Sequence, residues 1–317
     1  MSQRGEFELI REFFTRPSRD AAVHLGVGDD AALIAVPENH ELVVTTDTLV
    51  SGRHFPEDAA PFDIGWKALA VNLSDLAAMG AEARWVTLAL TIPDSNEAFL
   101  REFAAGFFEL AEKENISLVG GDTTRGPLSI TVTAMGIVPV GQALRRNGAK
   151  PGDDIYVSGT IGDAGLGLRL ILQQWPGDLP VADEAFVLQR LNRPEPRLML
   201  AKELRSLASS CLDVSDGLAQ DLSHIVRASA VGAVLDIEAL PRSAALAGID
   251  VAFADVLALT SGDDYELLFT APPPHREKIA ALSFACTRIG SITTEPVLVL
   301  RRDGVLVDMP LAGFQHF

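Results

Sequence analysis

The stretch Ile116-Ser117-Leu118-Val119-Gly120-Gly121-Asp122-Thr123-Thr124 sets the reading of this chain. Its first four residues read as a strand, and two glycines and an aspartate stand at the strand's end. Glycine permits close approach of the backbone to a ligand. A carboxylate oxygen is a hard ligand of the kind magnesium prefers, and magnesium commonly reaches a protein carrying substrate phosphates. Working outward, residues 97–114 carry Phe99, Phe103, Phe107 and Leu110 at helical intervals. Residues 85–92 before them read as a strand stopped by Pro93-Asp94, and residues 128–138 after the stretch as a strand rich in Thr, Val and Ile. Strands alternating with helices make this half α+β or α/β.

The rest of the chain extends the pattern. Residues 6–14 form a short amphipathic helix with Phe7, Ile10, Phe13 and Phe14 on one side. Residues 42–46 are a β-run delivering Asp47 at its end, and residues 62–79 a helix with Gly80 as its C-cap. Residues 147–154, Asn-Gly-Ala-Lys-Pro-Gly-Asp-Asp, are dense in turn formers and divide the chain near residue 150. Beyond them, strands are expected at 155–158, 211–214, 233–237, 267–270 and 297–300. Helices are expected from the glycine-rich 159–167 to about 174, at 195–207 and at 218–230. Two α+β domains, 1–148 and 149–317, follow.

With 317 residues, 48% apolar and 22% charged, the chain is long enough for two cores. A net charge of −17 argues against a nucleic-acid groove. Cys211 and Cys286 stand apart, with no metal or disulfide spacing. The charged N-terminus is no secretory leader and no run is long enough to span a membrane, so a cytoplasmic protein is expected.

Short aspartate motifs recur: Gly28-Asp29-Asp30, Thr45-Thr46-Asp47, Asn72-Leu73-Ser74-Asp75, Gly120-Gly121-Asp122, Asp213-Val214-Ser215-Asp216-Gly217 and Gly262-Asp263-Asp264-Tyr265-Glu266. Each alone has an ordinary reading. Gly28-Asp29-Asp30 suits a tight turn, and excess acid is usually a solvated surface. Asp75, however, falls on a helix whose other positions are apolar, where a charge is costly unless paired or bound to a cation. Asp213 and Asp216 stand at a strand-to-helix junction, where Ser215 and free helix N–H groups suit phosphate oxygens. Taken together, the motifs point to several magnesium ions around a polyphosphate. His54 is a base, a substrate contact or a structural residue; Arg145 and Arg146 are a solvated pair or a phosphate fork; Phe314 suits stacking on a flat heterocycle. Neither the dinucleotide fingerprint nor a P-loop is present, since the glycines of 159–167 have the wrong spacing.

In their order and spacing these motifs resemble bacterial thiamine-monophosphate kinases. The segments are Gly26-Val27-Gly28-Asp29-Asp30-Ala31-Ala32, residues 45–55 and 66–81, Gly120 to Gly126, Asp213 to Leu218, and Ser261 to Leu267. The resemblance runs from about Gly5 to Phe317. It implies a two-domain α+β fold like that of aminoimidazole ribonucleotide synthetase, with an N-terminal domain that pairs with a second copy into a β-barrel and a C-terminal α/β sandwich. It implies direct, in-line transfer of the γ-phosphoryl of ATP to thiamine monophosphate by a homodimer. It places Mg2+ on Asp30, Thr45, Thr46, Asp47, Asp75, Asp122, Asp213 and Asp216, with K+ a further candidate ion. Gly121, Asp122, Arg146 and Ser215 would meet ATP, and His54, Asp263 and Phe314 the thiamine substrate. No general base is assigned, because a phosphate monoester is largely ionised near neutral pH.

Two positions depart from that family's pattern. Its Gly-Glu-Asp is here Gly262-Asp263-Asp264, a shorter carboxylate, and its C-terminal Trp or Tyr is Phe314, which stacks without a polar handle. The rival readings are another ATP-dependent enzyme of the same fold and a catalytically silent nucleotide- or metal-binding module. Within the first, selenophosphate synthetase is disfavoured by the lack of a reactive N-terminal Cys. Against the second stands the retention of nearly every expected ligand position.

Overall fold

A computed structural model describes residues 5–309 and 313. Contacts divide the chain into two compact units, Met1–Leu76 with Ala81–Gln142, and Ala77–Gly80 with Ala143–Phe317.

The first unit opens with α1 (Glu6–Leu9), which runs into a wide π-type turn over Ile10–Phe14. The helix expected over 6–14 is present but changes type after Leu9, with Phe13 and Phe14 buried; the Phe7 side chain lies outside the described residues. A small ribbon, β1 (Val23–Leu25) and β2 (Leu33–Ile34), packs over Trp85, Val119 and Ile137. The main elements are β3 (His40–Val50), α2 (Pro61–Ala78), β4 (Glu82–Ile92), α3 (Glu97–Lys113), β5 (Ser117–Arg125) and β6 (Ser129–Pro139). Among the described residues the four long strands form an open sheet in the order β3-β6-β4-β5, with only the β4–β5 pair parallel.

Local chemistry sets the helix limits. The Asn96 side chain accepts the N–H groups of Ala98 and Phe99, capping α3. Pro61 starts α2 and Gly80, at φ +68°, turns the chain after its end. Leu69, Leu73, Leu76, Phe103, Phe107 and Leu110 are fully buried. The two helices touch backbone to backbone: a Cβ on Gly65 would fall 2.1 Å from the Phe103 carbonyl oxygen, and one on Gly106 1.9 Å from that of Phe62.

Two strands run further than expected, and both differences bear on the site. β3 continues to Val50, so Asp47 lies within the strand rather than at its end. β5 continues through Gly120-Gly121-Asp122 to Arg125, so these residues form part of a strand and not a turn. Parallel pairing with β4 explains the glycine: a Cβ on Gly121 would lie 1.9 Å from the Leu88 carbonyl oxygen. Close strand approach accounts for Gly121 without any ligand.

The second unit comprises β7 (Asp154–Ser158), α4 (Asp163–Ile171), α5 (Val181–Asn192), α6 (Leu198–Leu204), β8 (Ser210–Asp213), α7 (Leu218–Ser229), β9 (Gly232–Asp236), α8 (Ala244–Ala247), α9 (Val251–Thr260), β10 (Leu267–Ala271), α10 (Arg276–Ala280), β11 (Cys286–Thr293), β12 (Leu298–Arg302) and β13 (Val305–Val307). Its described strands form a seven-stranded mixed sheet, β13-β12-β9-β11-β7-β10-β8, parallel only at β12–β9. A core of Ile155, Val157, Leu212, Leu222, Ile225 and Leu268 joins the sheet to α7. A second cluster, with Leu166, Val187, Leu246 and Leu257, joins α4, α5, α8 and α9. The helix expected over 195–207 begins at Leu198, because Pro196 biases Glu195 away from helical geometry.

Candidate active site

In the first unit the site is built on β3 and α2. Strand alternation turns Thr45 and Asp47 to one side and Thr46 and Thr48 to the other. On the inner side the Thr45 hydroxyl donates to Asp75 Oδ2 at 2.5 Å, and the Asp47 N–H donates to Asn72 Oδ1 at 3.0 Å. Asn72, fully buried, returns its amide to the Ala68 carbonyl at 3.1 Å. Asn72 and Asp75 are neighbours on α2 at three-residue spacing, so one helix face meets two strand residues. On the outer side the Thr46 and Thr133 hydroxyls are 2.9 Å apart. The Thr46 side chain therefore does not join Thr45 and Asp47.

Asp30 lies in the exposed link between β1 and β2, its N–H held by Asp29 Oδ1 at 2.8 Å. His54 follows β3, and its Nδ1 accepts the Val50 N–H at 2.9 Å, so the proton of the neutral ring is on Nε2. Asp122 is exposed on β5. Beside Gly121 and Asp122 opens a small cleft of about 40 Å3 with apolar walls from Phe14, Val27, Leu88 and Leu118.

In the second unit two distant motifs are laced together through main-chain bonds. The Asp263 N–H donates to the Ser215 carbonyl at 3.0 Å, the Tyr265 N–H to that of Val214 at 2.9 Å, and the Val214 N–H to that of Glu266 at 2.8 Å. The loops carrying Ser215, Asp216 and Asp263 are thus held together, with Asp213 buried beside them at the end of β8. Asp263 takes φ +66°, uncommon for a side chain other than glycine, and its Oδ1 accepts the Tyr265 hydroxyl at 3.0 Å. Gly313 reaches the same place, its N–H on Gln220 Oε1 at 3.1 Å while Gln220 Nε2 reaches Asp216 at 3.3 Å. Phe314 lies outside the described residues. Arg146 is exposed; its charge and that of Arg227, after burial, hold His224 below its ordinary pKa, while Asp216 pulls the other way. Arg146, His224 and Asp216 are therefore electrostatic neighbours.

Behind these loops lie carboxylates that motif reading did not assign. Asp221 accepts the N–H groups of Ser215, Asp216 and Gly217 on one oxygen, each at 3.1 Å. These three amides precede α7, so they are not the first N–H groups of the helix that the sequence offers to phosphate. Burial pushes Asp221 up to about 7, against those three donors. Asp264 caps the start of α4 through the N–H groups of Gly162 at 2.6 Å and Ala164 at 3.2 Å, and burial pushes it too up to about 7. Close packing accounts for the glycines of 159–167, since a Cβ on Gly162 would fall 2.8 Å from the Ala258 nitrogen and one on Gly167 2.5 Å from the Val187 carbonyl oxygen. Glu266, fully buried, accepts from Arg190 at 2.9 Å, from Arg197 Nε at 2.7 Å and from the Ser158 hydroxyl at 2.5 Å. Asp264 and Glu266 stand inside a motif already noticed, where only Asp263 is given a role; Asp221 lies beyond the motif that ends at Gly217.

The candidate donors are carboxylate and hydroxyl oxygens, a hard set that fits Mg2+. Among the described residues no three His, Cys, Asp or Glu side chains are gathered closely enough to hold a metal by themselves. What the structure does bring together is Thr45 with Asp75, Asp47 with Asn72, and Ser215, Asp216 and Asp263 on laced loops next to Asp213 at the end of β8.

Residues 28–138 match the family described as AIR synthase related protein, N-terminal domain, and residues 150–303 its C-terminal domain family. The chain is 48% identical to thiamine-monophosphate kinase of Escherichia coli K12 over 99% of its own length and 98% of the relative's. It is similar to the thiamine-monophosphate kinase structure from Stenotrophomonas maltophilia K279a, with TM-score 0.84 and 49% identity over 90% of this chain and 92% of that one. It is also similar to AaThiL solved in complex with AMPPCP and TMP, with TM-score 0.78 and 32% identity over 92% of both chains. With both domains matched and the identity running end to end, this chain belongs to the thiamine-monophosphate kinase family, within the AIR synthase related proteins.

Proposed function

We propose that this chain transfers the γ-phosphoryl group of ATP onto the terminal phosphate of thiamine monophosphate, giving thiamine diphosphate and ADP. This would complete thiamine diphosphate synthesis in the cytoplasm. The observation that carries the reading is the end-to-end identity with thiamine-monophosphate kinases, at 48% for the E. coli protein. It favours this reaction over those of other enzymes on the fold. Among the described residues no helix is long and apolar enough to cross a membrane.

Both substrates are anions and the protein carries a net charge of −17, so attraction must come from cations. Mg2+, when bound, neutralises the phosphate oxygens and holds donor and acceptor in line. Asp30, Thr45, Asp47, Asp75, Asp122, Asp213 and Asp216 would supply its ligands. Thr46 would take part through its carbonyl, since its hydroxyl faces Thr133. K+ is a further candidate ion. Gly121 and Asp122 would meet ATP; Ser215 would contribute its hydroxyl and Arg146 its guanidinium. His54, donating from Nε2, would meet the thiamine substrate together with Asp263 and Phe314. Residues 1–148 would form the ATP- and Mg-binding, dimer-forming domain, and residues 149–317 the domain that completes the site.

The direct test incubates the protein with Mg-ATP and thiamine monophosphate and follows thiamine diphosphate. Product formation is expected; tight ATP binding without product would overturn the reading.

The expected barrel would require a second copy, because the sheet of the first unit is open. β3 is its edge and exposes Leu42, Val44 and Val50 at 46%, 54% and 39%, an edge that natural proteins normally cover or charge. Light scattering should give twice the monomer mass, and Val44→Lys should shift the protein toward monomer. A monomeric parent would exclude the shared barrel.

A further inference from the structure

Asp221 lies in the first turn of α7 and is only 4% exposed. Its Oδ2 accepts three consecutive main-chain N–H groups, from Ser215, Asp216 and Gly217. Successive amides turned toward one point make a concave donor set of the kind that binds phosphate. Here the chain's own carboxylate fills it.

We propose that Asp221 is a positioning residue for phosphoryl transfer, an internal anion that fixes the curvature of residues 213–217 so that Asp213, Ser215 and Asp216 face the substrates and their metal. The inference rests on the functional reading above, in which Asp213 and Asp216 hold Mg2+. The loop is constrained from both sides. Its carbonyls, at Val214 and Ser215, are engaged by Tyr265 and Asp263. The Val214 N–H goes to the Glu266 carbonyl, and the next three amides, of Ser215, Asp216 and Gly217, go to Asp221. Removing the carboxylate would leave three buried N–H groups without their acceptor, and the loop would relax to satisfy them, turning Asp213, Ser215 and Asp216 away from the substrates. Gly217, at φ +123° and with its Cβ direction blocked 2.8 Å away by Thr260, completes the turn that aims these amides inward.

The experiment compares Asp221→Ala, Asp221→Asn and Asp213→Asn in the full-length protein. It reads kcat, the KM for ATP, the Mg2+ concentration giving half-maximal rate, and Tm. Supporting groups behind metal ligands are typically worth about 10- to 100-fold in activity or metal affinity. Asp221→Ala is expected to lose activity within that range and to need more Mg2+. Asp221→Asn, which keeps one acceptor oxygen, should recover part of both, and it decides the matter if the alanine variant does not fold. A purely structural role would lower Tm and the active fraction without moving the Mg2+ midpoint. Wild-type kcat and Mg2+ dependence in folded Asp221→Asn, alongside a large loss in Asp213→Asn, overturns the positioning role alone. Full activity in Asp213→Asn overturns the ligand reading and this inference with it.

Discussion

Asp122→Asn is expected to fold like the parent and to lose thiamine diphosphate formation by roughly 100- to 1,000-fold in kcat, as removal of several kcal/mol of transition-state charge stabilisation requires. The fold should tolerate the change, since Asp122 is exposed on β5 and the strand is held by main-chain pairing with β4. Exposed substitutions usually move stability by only about 0.5 kcal/mol. Loss of turnover therefore reports on chemistry. Asp47→Asn should behave alike, with its N–H still bound to Asn72. Single-turnover assays in saturating Mg-ATP separate a lost ligand from weakened ATP binding. Unchanged rates would remove both residues from the metal site.

Glu266→Ala carries the largest expected cost in stability. Two arginines converge on this buried carboxylate, and one of them, Arg190, also bonds the Asp264 carbonyl at 3.0 Å. Removing it leaves two cations facing an empty pocket, and breaking a buried pair from one side costs about 3–5 kcal/mol. At roughly 2–4 °C of Tm per kcal/mol for a domain of this size, a fall of about 10 °C follows. Thermal unfolding with Glu266→Gln as a milder companion measures it; a fall below about 2 °C would show that the arginines find other partners. Because the Glu266 carbonyl accepts the Val214 N–H, activity should fall as the laced loops loosen.

The sequence was most legible where one period ruled. α2 and α3 follow from apolar residues at helical spacing, with Gly80 closing the first. α9 escaped because Val-Ala-Phe-Ala-Asp-Val-Leu-Ala-Leu-Thr is nearly uniformly apolar and offers no stripe. β11 escaped because a bulge at Arg288/Gly290 breaks its alternation. In the site, motif reading found the aspartates but could not sort them. Gly and Asp in sequence look alike whether a loop cradles phosphate or a buried carboxylate caps a helix, and only burial separates Asp263 from Asp264. Thr45 and Thr46 are likewise equal candidates until pleating sends their hydroxyls to opposite faces.

The paired glycine contacts between α2 and α3 have a consequence for how this enzyme can drift. Where two helices are spaced by side chains, every conservative exchange in the core shifts the spacing slightly. At Gly65 and Gly106 the spacing is set by main-chain atoms, which no exchange elsewhere can thicken or thin. The seam acts as a gauge block. Phenylalanines around it can change shape over generations while the carboxylate of Asp75 keeps its height above β3.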